Sequence, residues 1–176
     1  MEAIKNGNNF AFEIFYNRFK QPIIAFTCRM VRDYNKAEEL TQEIFFKILK
    51  KRNAYNPSKS KASSWLYKIA ANLCIDEIRH SKFQVKISEK EMLDTPQNSF
   101  KEPSKEAEIK EKESIIKNAV NKLSPEHKTI IILHKYQGMK YDEIAEIMGK
   151  DFNWVKWHLK LTYEELEQRL KPYFGR

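Results

Sequence analysis

Along most of the 176-residue chain the apolar positions recur every three to four residues, the period that gathers them on one side of an α-helix. The first such stretch runs from Phe10 to Met30, rich in aromatics and broken once by Pro22. Asn35-Lys36-Ala37-Glu38 then reads as a capping box, an Asn side chain facing a Glu three residues on, and predicts a helix through TQEIFFKILKK. NAYNPSKSKASS supplies turn residues and no apolar stripe, so it is loop. WLYKIAANLCIDEIRH after it is strongly helical. Residues 83–108 change character, with Pro96, Pro103, mixed charge and scattered apolar residues, the composition of a flexible tether.

Beyond the tether a helix begins near Ile109. Ser124 caps the next one with Pro125 at its first position, a break follows at Gly138, and YDEIAEIM makes a short helix. After a turn at Gly149-Lys150-Asp151 the last helix runs from about Phe152 to Lys171. Three helices with a glycine-bearing turn before the last suggest a helix-turn-helix. The pattern therefore predicts an all-α chain: two small helical domains, 1–82 and 109–176, joined by a flexible linker, 83–108.

Composition sharpens this. Only 4 Gly and 6 Pro disfavour a turn-rich β architecture. There is no run of about eighteen apolar residues and no apolar signal-peptide core near the start, so a cytoplasmic chain without membrane insertion is expected. Cys28 and Cys74 lie in no CxxC or His-rich setting, which predicts two small core residues and neither a disulfide framework nor a zinc site. His80, His127, His134 and His158 are scattered, and no phosphate-binding glycine loop or nucleophile–base spacing is visible. No catalysis, metal, cofactor or small-molecule substrate is therefore expected.

The net charge of +8 is unevenly spread. Residues 1–82 hold 15 basic against 8 acidic side chains (+7), residues 83–108 hold 4 against 6 (−2), and residues 109–176 hold 13 against 10 (+3). A basic N-terminal half implies a polyanionic partner, nucleic acid or an acidic protein surface.

Projected at about 100° per residue, WLYKIAANLCIDEIR places Leu66, Ala70, Leu73, Cys74 and Ile78 on a core face. Trp65, Lys68, Asn72, Asp76 and Arg79 share the other side. The preceding loop adds Tyr55, Lys59 and Lys61, and the helix before it ends in Lys47, Lys50, Lys51 and Arg52. Aromatic platforms beside a cation-lined path are what single-stranded nucleic acid requires. The competing reading makes Trp65 a lid on the domain core and the charges ordinary surface. In the last helix Val155, Leu159, Thr162 and Leu166 form the buried stripe with Phe152 beside it; Asn153, Lys156, Trp157, Lys160 and Glu164 lie outward. An outward tryptophan near the helix start marks a contact surface of the kind that enters a major groove. The competing reading is a plain three-helix bundle.

NKAEELTQEIFFKIL, then NPSKSKASSWLYKIAANLCIDEIR, then NKLSPEHKTIIILHKYQGMKYDEIAEIMG resemble, in order and spacing, the extracytoplasmic-function (ECF) sigma factors of the sigma-70 family. The resemblance covers nearly the whole chain. It implies a promoter-specificity subunit of RNA polymerase: 1–82 would be sigma region 2, for core docking and opening of the −10 element, and 109–176 region 4, reading the −35 element. Glu39, Gln42, Glu43 and Phe46 would dock on the clamp coiled coil of the polymerase's largest subunit. Asn56, Lys59, Lys61, Ser63, Trp65, Lys68, Asn72, Asp76 and Arg79 would meet the −10 DNA, duplex and then melted strand. Asn153, Trp154, Lys156, Trp157, His158 and Lys160 would meet the −35 DNA. The resemblance further implies an anti-sigma factor partner.

The last helix departs from the family pattern. Where G-T-V-K-S-R-L and further arginines are usual, this chain has Asn153-Trp154-Val155-Lys156-Trp157-His158-Leu159-Lys160, then Glu164 and Glu165. An unusual −35 sequence, heavier reliance on the −10 contact, or a protein-binding helix would each account for it. Lys140 also stands where a capping Ser is common, at a cost of roughly 1 kcal/mol. The alternative function is a helix-turn-helix regulator acting without core polymerase, but this leaves AEELTQE and WLYKIAANLCIDEIR without a role.

Overall fold

The computed structural model describes residues 1–88 and 105–175, among which there are eight α-helices and no strand. A short α1 (Glu2–Lys5) leads into α2 (Asn9–Val31), α3 (Tyr34–Lys50), a 3-10 turn at Arg52–Ala54, and α4 (Ala62–Ser88). The C-terminal half holds α5 (Lys105–Asn121), α6 (Pro125–Lys135), α7 (Tyr141–Met148) and α8 (Phe152–Phe174). Of the expected linker 83–108, residues 89–104 lie outside the described residues; α4 runs six residues past position 82, and α5 begins four before position 109.

Two local expectations change. Pro22 does not break α2, which is helical over 23 residues. A proline removes one backbone donor, but Phe15 on one side of it and Ile23, Phe26 and Met30 on the other are buried in a shared core that holds both halves in line. The cap of α3 is Asp33, not Asn35: its carboxylate accepts the Lys36 N–H at 2.9 Å, and Asn35 lies inside the helix. The turn between α2 and α3 is made by Arg32 in the left-handed region, φ 65°, which leaves Asp33 as the extended residue where a cap must sit.

The caps of the C-terminal half follow the sequence. Ser124 Oγ accepts from His127 N–H at 3.1 Å, Gly149 ends α7 at φ 64°, and Asp151 caps α8 through Trp154 N–H at 2.8 Å. Lys140 has no side-chain acceptor to offer α7; only the return bond exists, the Glu143 carboxylate accepting from Lys140 N–H at 3.2 Å.

In the N-terminal half α2, α3 and α4 pack together; in the C-terminal half α8 packs on α5, α6 and α7. The halves also close on each other, α4 against α6 and α7, and α2 against α6. One buried cluster runs through both, from Ile23, Phe26, Ile44 and Leu66 to Ile130, Leu133, Ile144 and Val155. The join is partly polar: Lys128 Nζ, buried, donates to the Met30 carbonyl at 2.6 Å, and Tyr67 Oη donates to Gln137 at 2.7 Å. Cys74 is fully buried, which pushes its thiol up to about 12, whereas Cys28 is half-exposed and not the buried residue expected.

Candidate nucleic-acid and polymerase-docking surfaces

Helix α3 buries Ala37, Leu40, Thr41, Ile44, Phe45 and Ile48. The complementary stripe carries Glu39, Gln42, Glu43 and Phe46, all exposed and spaced so that they share one face. Glu39 pairs with Lys36 at 2.9 Å and Glu43 with Lys47 at 2.8 Å. Phe46 is 56% exposed, its ring under the Lys50 ammonium at 4.6 Å. Phe46 is thus a single exposed aromatic ring on a face that otherwise carries two carboxylates and an amide.

Helix α4 begins at Ala62, earlier than the periodicity predicts, and it is buried on two sides rather than one. Leu66, Ala70 and Cys74 face the N-terminal core as expected, with Leu73 and Ile78 half-buried. Tyr67, Ala71 and Ile75 are buried as well. On the helix circle they lie toward Lys61 and Arg79, the residues that reach the C-terminal half.

The sequence-derived −10 residues thus divide. Asn72 and Asp76 are exposed, as are Asn56 and Lys59 in the loop. Trp65 is half-buried, its ring 5.3 Å from that of Tyr55, so it is at once a core lid and a cavity wall. A cavity of about 220 Å³ is lined by Ala54, Asn56, Lys59, Ser60, Ser64, Trp65, Lys68 and Glu146. Ser63 is not in it; that side chain lines a separate depression with Met1, Ile4 and Phe15. Ser60 and Ser64 line the cavity beside the residues singled out from the sequence, and i, i+4 spacing places Ser64, Lys68 and Asn72 in one row. Lys61 and Arg79 are engaged by the other half, pairing with Glu143 (3.0 Å) and Glu126 respectively. Lys61 holds the Glu143 carboxyl below the ordinary carboxylate range, helped by the Lys140 N–H.

In α8, Val155, Leu159, Thr162 and Leu166 are buried as the pattern predicts, but Phe152 is exposed, touching Tyr141 at 5.7 Å between ring centroids. Asn153, Lys156, Trp157 and Lys160 face solvent, Trp157 at 56% exposure. Trp154 and His158 do not join them. Their half-buried rings lie 3.8 Å apart between centroids, tilted by 36°, and His158 Nδ1 meets His127 Nε2 of α6 at 3.1 Å. His127 Nδ1 lies 3.3 Å from Glu165, which also accepts from Arg169 at 2.8 Å. Burial, then the neighbouring His127 and Lys150, hold the His158 imidazole below its ordinary value, with Glu126 opposing them. The outward face of the last helix is therefore narrower than the sequence suggested.

Among the described residues no three His, Cys, Asp or Glu side chains are grouped to hold a metal, and no helix is long and apolar enough to cross a membrane.

The family model for Sigma-70 region 2 matches residues 15–84, and that for Sigma-70, region 4 matches residues 113–166. The RNA polymerase sigma factor CarQ of Myxococcus xanthus is 28% identical over 170 residues, covering 97% of this chain and 95% of that one. The RNA polymerase sigma factor SigV of Bacillus subtilis is 31% identical over 141 residues, 80% and 79% of the two chains. In fold the chain is similar to CnrH, solved in complex with the cytosolic domain of CnrY, at a TM-score of 0.72 and 16% identity over 98% of this chain and 95% of that one. With both regions present in order and relatives spanning almost its full length, the chain belongs to the ECF sigma factors of the sigma-70 family, which confer promoter-specific initiation on RNA polymerase.

Proposed function

We propose that this sigma factor divides its work among three surfaces. The α3 stripe of Glu39, Gln42, Glu43 and Phe46 docks on the clamp coiled coil of the polymerase's largest subunit. The half from 1 to 82 then takes the −10 element: Lys59, Lys61, Lys68 and Arg79 line the phosphate path, while Asn56, Trp65 and Asn72 stand at or beside the cavity where a base leaving the stack is received. Extruding a base costs on the order of a few kcal/mol, and one stacking contact returns about 1–3 kcal/mol. The half from 109 to 176 reads the −35 element with Asn153, Lys156, Trp157 and Lys160; Trp154 and His158 set the angle of that face instead of touching DNA. The chain works in the cytoplasm, where polymerase is, and an anti-sigma factor holds it in check; support comes from the similarly folded sigma factor RpoE of Bartonella quintana, solved in complex with the anti-sigma factor NepR.

The single observation that carries this is the cavity wall supplied by the N-terminal half: amide, hydroxyl, ammonium and indole groups converge there, opposite Glu146 of α7 and one helical turn from exposed Asn72. Run-off transcription from a promoter library with core polymerase is the test. Wild-type protein should select a two-part promoter. Asn72→Ala should impair strand opening more than binding to closed duplex, and each Lys→Ala change on the phosphate path should reduce the log–log salt slope by about one unit. Trp157→Ala should alter the upstream preference and leave the downstream one intact. Equal loss of duplex and melted-strand binding in Asn72→Ala would remove that residue from the melted strand. Failure to associate with core would favour a polymerase-independent regulator.

A further inference from the structure

The cavity wall on the N-terminal side is built from two parts of unequal stiffness. Ser64, Trp65 and Lys68 belong to α4 and are placed by a packed helix, whereas Asn56, Lys59 and Ser60 belong to the loop 56–61. Inside that loop the Asn56 side-chain oxygen accepts the Ser58 N–H at 2.9 Å, and the Asn56 carbonyl accepts the N–H groups of Lys59 and Ser60 at 3.1 and 3.3 Å. An Asn that bonds the backbone two residues on folds the chain locally, but these bonds close the loop on itself and fix it to nothing outside. Tyr55 supplies the outside anchor. Its ring is buried, 6% exposed, and lies 5.3 Å from that of Trp65 between centroids. From there its hydroxyl donates to the Ser60 carbonyl at 2.9 Å, bridging the two ends of the loop. The Tyr55 carbonyl in turn accepts from Lys5 Nζ at 3.2 Å, and Lys5 sits on α1 next to Ile4, which is buried in the core.

We propose that Tyr55 and Lys5 are positioning residues for −10 recognition: a strut and its anchor that hold the loop wall at a fixed distance from Trp65, so that the cavity selects among bases instead of adapting to each. The side chains that meet a base are Asn56 and those of α4. Tyr55 does not touch it, because its ring is covered and its hydroxyl proton is committed to Ser60. Choosing between bases requires donors and acceptors held to within about 0.5 Å by a supporting layer of packing and hydrogen bonds. A loop free to drift further would pair with a wrong base nearly as well as with the right one. The occupied Asn56 oxygen adds a polarity: with Oδ1 taken by Ser58 N–H, the amide has its Nδ2 donors to offer. Tyr55 fixes where those donors sit. This inference rests on the reading of the loop and α4 as the −10 site.

The test assembles holoenzyme from core polymerase and wild-type or variant chain, and measures open-complex formation on promoters carrying each of the four bases at the −10 position that wild type selects most strongly. Tyr55→Phe deletes the hydroxyl and keeps the ring on Trp65; Lys5→Met deletes the donor and keeps the apolar stem. Each should lower the ratio of best to worst base by about two- to tenfold, the worth of one hydrogen bond. The double variant should lose less than the product of the two, because both act through one loop. Thr27→Val removes a buried hydroxyl from the same half, where it bonds Ile23 and Ala37, and controls for lost stability. Its ratio should match wild type at a temperature where every variant is folded. An unchanged ratio in Tyr55→Phe, or an equal fall in Thr27→Val, overturns the positioning role. Asn56→Ala guards the underlying reading. If it flattens the base preference while Tyr55→Phe does not, the strut alone fails; if it leaves the preference intact at every −10 position, the assignment of the loop fails with it.

Discussion

Lys140 begins α7 in an extended conformation with nothing on its side chain to accept a backbone N–H, so the helix starts on Glu143's return bond alone. Lys140→Ser supplies the missing acceptor and should stabilise the fold by about 1 kcal/mol, seen as a higher midpoint in thermal or urea unfolding. This deficit was legible in the sequence, as were the Ser124 cap and the stripe of Val155, Leu159, Thr162 and Leu166. Asp33 was not. Two candidates two residues apart, Asp33 and Asn35, compete for the start of α3, and only Asn35 has a Glu three positions on. The choice is made by Arg32 turning left-handed, a backbone event at a non-glycine residue for which the sequence carries no signal. Ser63 against Ser64 is a similar case: adjacent hydroxyls point about 100° apart, and only the packed helix tells which one faces the cavity.

At the scale of elements, α4 shows how a correct period can still yield half an answer. Its apolar residues Leu66, Tyr67, Ile69, Ala70, Ala71, Leu73, Cys74, Ile75 and Ile78 span well over half the helix circumference, the mark of a helix covered from more than one direction. Assigning a single core face left Tyr67, Ala71 and Ile75 without a place; the structure puts α6 and α7 over that side of the helix. The last helix differs in the opposite sense. Two tryptophans and a histidine in place of small hydroxyls and an arginine suggested a broad contact face, but Trp154 and His158 turn inward to join α8 to α6 through His127. That joint gives a pH dependence. Because the folded state depresses the His158 pKa, the unfolded chain takes up a proton that the folded one resists. Its contribution to stability is thus complete above about pH 6.5, the ordinary imidazole value, and is lost as pH falls from there through the folded value. The thermal midpoint should drop as pH is lowered through the mildly acidic range, and drop less in His158→Gln. An unchanged slope in that variant would mean the proton is taken up elsewhere.

For the whole molecule, two all-α regions were readable from periodicity and caps, whereas their closure on one another was not. Closure depends on pairings between distant positions: Lys61 with Glu143, Tyr67 with Gln137, and Lys128 with the carbonyl of Met30. Each is an unremarkable surface residue in a one-dimensional reading. Lys128 is the most committed of them, only 5% exposed on an otherwise apolar stretch of α6. Lys128→Met keeps the length and apolar stem but takes away the donor, and should destabilise the closed arrangement by about 1–3 kcal/mol. Scattering should register a larger radius at a moderate denaturant concentration that leaves wild type compact.

A helix walled in from both sides also determines what an opened molecule looks like. Once α6 and α7 lift away from α4, the side of that helix carrying Ala71 and Ile75 loses its cover, while Tyr67 keeps only its edge-on contact with Phe26. The extended form is therefore sticky by construction. A lone molecule will tend to snap shut or adhere to a neighbour, and whatever holds it open must offer that oily seam a new bed.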